Sequence, residues 1–118
     1  MLLEQYLQNI GLDDKEAKFY LAGLQLGPAS LQDLAKSASI KRTTGYEIVD
    51  GLVSKGLFSV SQKGKRKVFV AQEPDNLLLF LKQRENILSQ IMPDLEALKN
   101  TSAKRPAIRI YDGIEGIK

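Results

Sequence analysis

A chain of 118 residues, 43% of them hydrophobic, is sized for one small domain with an appendage. It has neither cysteine nor histidine, which excludes disulfides, thiolate metal sites and the commonest general base. The net charge is only +3, but from Ser39 to Lys67 seven bases stand against two acids, a surplus of five that leaves the remainder at −2. Charge concentrated in this way is the electrostatic footprint expected on nucleic acid. No apolar run approaches the ~18 residues of a membrane span, so a soluble, cytoplasmic protein is the default.

The first element is "LLEQYLQNIG", with apolar residues at Leu3, Tyr6, Leu7 and Ile10. It reads as a short amphipathic helix ending near Gly11, and not as a signal peptide. Asp13 and Glu16 have capping-box spacing before a second helix, whose stripe is Ala17, Tyr20, Leu21 and Leu24. Gly27–Pro28 breaks it. Ser30 is placed to cap a third helix with Leu31, Leu34, Ala35 and Ala38 inward. After a short turn, "KRTTGYEIVDGLVSK" predicts a fourth helix over 41–55, closed by Gly56. The period then changes to that of strands. "LFSVSQ" and "RKVFVA", separated by "KGK" around Gly64, predict a β-hairpin over 57–71 with a basic tip.

This order gives a fold class that is mainly α with a small β-hairpin, a winged helix-turn-helix over residues 1–73. The helix at 41–55 is then the recognition helix. With Val49 at the centre of its buried face, Tyr46, Leu52 and Val53 turn toward the core. Thr43, Thr44, Glu47, Gly51 and Ser54 point outward. That outward face is short and polar, as a ~12 Å major groove requires. Gly51 would allow close backbone approach to DNA, and Gly45 close packing between helices. Lys41 and Arg42 open the helix where its dipole favours phosphate, and Arg42 could instead read a guanine edge. Lys63, Lys65, Arg66 and Lys67 are placed to straddle a backbone or enter a minor groove.

A long helix follows Pro74 and fills residues 74–101. Leu77, Leu81, Leu88, Ile91, Leu95 and Leu98 keep a coiled-coil-like spacing, interrupted only by Arg84, and are the expected homodimer seam. Pro93 should kink or break the helix near Gln90–Met92. Residues 102–118 read as a linker, "TSAKRP", and a strand, "AIRIYDG", that either opens a C-terminal domain this chain does not complete or pairs with another chain.

The motifs "GL…EAKFYLAGLQLGPAS" and "IKRTTGYEIVDGLVSKGL", followed by a basic wing, resemble the DNA-binding domain of TrmB-like transcriptional regulators. The resemblance covers residues 9–118. It implies a sequence-specific repressor or activator, often dimeric, with an effector domain after the linker. Some members sense sugars, a function for which this chain carries no support. The expected partners are double-stranded DNA and a second copy, with no membrane, metal or cofactor. The competing function is a winged helix used only as a protein–protein module. An enzyme is not expected: Asp13–Asp14 lie at a helix start where capping explains them, and "GKRK" lacks the strand–loop–helix context of a P-loop.

Overall fold

The computed structural model describes residues 2–103. The elements run α1 (Leu2–Asn9), α2 (Asp14–Leu26), α3 (Leu31–Ala38), α4 (Arg42–Ser54), β1 (Phe58–Lys63), β2 (Arg66–Ala71) and α5 (Asp75–Ala103). This is the expected helical fold with a small hairpin and a long final helix. The strand expected after the linker lies outside the described residues.

Local signals set most of the boundaries. The Asp13 carboxylate accepts the Glu16 N–H at 2.7 Å, and Glu16 accepts the Asp13 N–H at 3.1 Å, closing the capping box of α2. Ser30 Oγ accepts the Asp33 N–H at 3.1 Å and starts α3. At the end of α3, Ser39 adopts the left-handed conformation, with φ 58°. Its N–H donates to the Lys36 carbonyl, and the Ile40 N–H donates to that of Ala35. This is a Schellman turn built on serine, and it redirects the chain into α4. Strands β1 and β2 pair antiparallel with Lys63 opposite Arg66, so Gly64 and Lys65 form a two-residue turn. Gly64 takes positive φ at the first of these, as the tight hairpin demands.

Two compact units result, one up to Leu81 and one from Lys82 onward. In the first, α2 is the central helix and packs against α1, α3, α4 and β2. Its buried set is accordingly wider than one stripe, and it includes Phe19 as well as Ala17 and Tyr20. Leu24 is exposed, as are Leu3 and Tyr6 of α1, because that helix meets the core through Leu7 and Ile10. A backbone bridge from Ala29 to Phe69 adds a third, one-residue rung to the hairpin. It ties the wing to the start of α3.

The second unit is helical from Lys82 to Ala103. Helix α5 continues through Pro93, which corrects the break expected there. The carbonyl deprived of its donor belongs to Ser89, which is exposed, so water can replace the missing bond.

Two buried details carry stability predictions. A Cβ on Gly23 would lie 2.5 Å from the Phe58 ring and 2.9 Å from Ala71, so helix and hairpin meet at van der Waals distance only because that position is bare. Gly23→Ala should cost about 1–3 kcal/mol despite its better helix propensity, as read by urea unfolding. The Tyr20 hydroxyl donates to the Gln72 carbonyl at 2.9 Å, and its ring meets Phe58 edge-on. Burial, and secondarily Glu73, raise the Tyr20 pKa above its usual value of 10.0. The folded state therefore holds a proton that the unfolded chain releases. This contribution is complete below pH 10 and is lost as pH rises toward the folded pKa. Tyr20→Phe should lose about 1 kcal/mol at neutral pH and show a shallower decline in stability as pH rises above 10.

Candidate nucleic-acid interface

The site is built on α4 and the wing. Helix α4 begins at Arg42 with Lys41 as its N-cap, and no side chain caps its first N–H groups. Its first turn contains no acid. The dipole and the open N–H groups therefore add to the charges of Lys41 and Arg42, and all of them favour an anion. Lys41, Arg42, Thr43 and Glu47 are exposed, and Thr44 is half-buried.

The buried face of α4 is Gly45, Ile48, Val49 and Leu52. Val49 lies at its centre as expected, but Tyr46 does not turn inward. It is 50% exposed, with its hydroxyl 3.5 Å from an Arg42 guanidinium nitrogen that donates to it. The cause is Gly45. A Cβ there would stand 3.0 Å from Phe19 and 3.2 Å from Leu31, so the helix presses its bare residue into that gap and rotates Tyr46 outward. Val53 is likewise partly exposed. Gly51 also departs from expectation. It is half-buried, and its missing Cβ leaves room for the Glu16 carboxylate rather than for DNA.

The wing contributes Lys63, Lys65, Arg66 and Lys67, all exposed. Three of them, Lys65, Arg66 and Lys67, line one cleft together with Arg42, Tyr46, Gln62, Phe69 and the start of α3 at Ser30, Gln32 and Asp33. Lys41, Thr43, Thr44, Glu47 and Lys63 are not part of that cleft. The sequence reading missed Tyr46, Gln62 and Gln32. The signal for Tyr46 was present in its neighbour Gly45, since a helix cannot bury both equally.

The electrostatics are one-sided. The ion pairs among the described residues include Lys18–Asp14, Lys55–Glu16 and Lys82–Glu85. Lys41, Arg42, Lys63, Lys65, Arg66 and Lys67 take part in none of them. Lys55, though inside the basic segment, is neutralised by Glu16 and does not belong to the site. Six exposed cations thus make no ion pair among the described residues, although Asp33 lines the same cleft as Arg42, Lys65, Arg66 and Lys67. No group of three or more acids among the described residues could hold a metal ion. No helix of the described residues is long and apolar enough to cross a membrane.

A family model described as "Sugar-specific transcriptional regulator TrmB" matches residues 7–75. The HTH-type sugar sensing transcriptional regulator TrmBL1 of Pyrococcus furiosus is 30% identical over 95 residues, which make up 80% of this chain and 26% of that protein. The chain thus spans about a quarter of that relative's length. Among solved structures, TrmBL2, an archaeal chromatin protein with a novel mode of DNA binding, superposes with a TM-score of 0.69 at 20% identity over 96% of this chain and 45% of its own. A MarR family regulator from Silicibacter pomeroyi matches at TM-score 0.54, with 20% identity and coverage of 89% and 67%. The homodimeric winged helix-turn-helix DNA-binding domain of a Mycobacterium bovis protein matches at 0.51, with 20% identity and coverage of 76% and 85%.

Proposed function

Because the chain belongs to the TrmB family of DNA-binding, winged-helix transcriptional regulators, we propose that it binds duplex DNA sequence-specifically as a homodimer, in the cytoplasm. Helix α4 enters the major groove. Thr43, Thr44 and Glu47 face base edges, and Arg42 reaches either a phosphate or a guanine. Lys63, Lys65, Arg66 and Lys67 follow the backbone or an adjacent minor groove. The single observation that carries this reading is the set of six exposed cations without carboxylate partners, gathered on the start of α4 and the wing. A wing used only to dock proteins has no need of four cations in five residues.

The dimer rests on α5. Leu81, Leu88, Ile91, Leu95 and Leu98 are each at least 36% exposed. Ile87 and Met92, which the heptad reading left out, are exposed beside them and widen the apolar surface. Leu77 spends part of its surface on the core of its own domain. Glu85 is engaged by Lys82 of the same helix, at 3.2 Å. Soluble monomers rarely expose a stripe of this kind, and a second copy is its simplest cover. A two-fold dimer would present two recognition helices to half-sites about 34 Å or a multiple apart.

Two measurements test these parts separately. Lys63→Ala with Lys65→Ala should weaken binding to all duplexes alike and reduce the salt slope by about one unit per lost phosphate contact. Arg42→Ala, Thr43→Ala or Thr44→Ala should instead change the preferred sequence, at about 1–3 kcal/mol per lost base contact. A wing variant that keeps the parent's affinity at low salt would favour the protein-docking alternative. For the dimer, Leu88→Lys with Leu95→Lys should give a monomer by light scattering, with the winged domain still folded and the affinity for a two-half-site duplex collapsed. An unaltered protein that is monomeric at about 100 μM would contradict the proposed seam.

A further inference from the structure

One charged pair lies apart from the DNA-facing cations and is more expensive than an apolar contact in its place. Glu16 is 7% exposed. One of its oxygens closes the cap of α2 by accepting the Asp13 N–H. The other accepts from Lys55 Nζ at 2.5 Å, and Lys55 is the residue on which α4 ends. That second oxygen also sits 3.1 Å from where a Cβ on Gly51 would be. A single buried carboxylate thus joins the start of α2 to the end of α4, and a glycine makes room for it.

Buried ion pairs are weak stabilisers, because desolvation offsets most of the attraction. What the pair supplies is direction. The rest of the buried face of α4 is Gly45, Ile48, Val49 and Leu52, whose apolar attraction is itself non-directional, so steric fit and polar contacts must set the helix's orientation. Gly45 fixes the front of the helix against Phe19 and Leu31, and Glu16 fixes its rear. We propose that Glu16 is a positioning residue for sequence readout: through Lys55 and the gap at Gly51 it sets the rotation and axial position of α4, and so which bases that helix reaches. The inference rests on reading α4 as the DNA-reading helix. Functional geometry of this kind tolerates displacements of only about 0.5 Å, whereas long lysines on a wing follow a phosphate over a wider range.

The test compares the parent with Glu16→Gln, Gly51→Ala and Lys55→Arg. Glutamine keeps the acceptor for the Asp13 N–H but removes the charge opposite Lys55. Alanine at 51 would set a methyl carbon 3.1 Å from the present position of the carboxylate oxygen, so the carboxylate must shift away from it. Arginine at 55 preserves the pair. A duplex is first selected from random sequences with the parent protein, and each variant is titrated with that duplex and with a scrambled one across a range of salt. Glu16→Gln and Gly51→Ala should each lose about tenfold in the ratio of the two affinities, with the salt slope unchanged, while Lys55→Arg keeps the parent's ratio. Variants that fold and retain the ratio, or that lose affinity for both duplexes equally, would overturn the inference. Should Glu16→Gln fail to fold, Gly51→Ala carries the same test, because it disturbs the pair without deleting it. A parent protein with no preference among duplexes would refute the DNA-reading proposal itself, an outcome distinct from the failure of Glu16 to position the helix.

Discussion

The rotation of α4 about its own axis decides which side chains this protein presents, and that rotation depends on the close approach of Gly45 to Phe19 and Leu31. Glycine in a helix interior is costly by about 1 kcal/mol. Here the cost is set against tight packing of α4 onto α2 and α3, which brings Val49 and Leu52 into the core at 1% and 0% exposure. With that face committed, Arg42, Thr43, Tyr46 and Glu47 have no choice but the outside. A larger side chain at position 45 would have to displace two core residues or turn the helix, and either would change the outward face.

Three devices hold the remaining geometry. The serine Schellman turn at Ser39 sets the angle between α3 and α4. The Ala29–Phe69 bridge fastens the hairpin beside the start of α3, so that Lys65, Arg66 and Lys67 share a cleft with Arg42. The Gln72 N–H donates to the Leu57 carbonyl at 2.8 Å, and the Asn76 amide donates to the Gly56 carbonyl at 3.2 Å. These bonds close the base of the wing onto the start of α5. The cations themselves contribute little to stability, being exposed and unpaired. Their position is a property of the backbone that carries them.

What the sequence showed and what it concealed divide along the range of the forces involved. Caps and turns depend on residues three or four apart, so Asp13 with Glu16, Ser30, Gly56 and Gly64 announced the ends of elements that the structure contains. The charge surplus between Ser39 and Lys67 needs no fold to be read, and it underlies the proposal of an anionic partner. The inner face of α4 followed from its period at Gly45, Val49 and Leu52 but not at Tyr46, because Gly45 and Tyr46 compete for one place and the winner is decided by Phe19 and Leu31 on other helices. The Glu16–Lys55 pair, 39 residues apart, was equally invisible, and Lys55 therefore looked like part of the basic footprint. Pro93 misled in the opposite sense: its local rule favours a break, but an exposed helix with water at hand can continue through it.

We propose that the exposed face at the start of α4 and the tip of the wing together form one surface for duplex DNA. Amide chemical shifts recorded while a short random-sequence duplex is added at low salt test it most directly. The shifts should concentrate at residues 41–47 and 63–67 and fade as salt is raised. Shifts confined to α1 or to the apolar face of α5, with α4 and the wing unmoved, would contradict it.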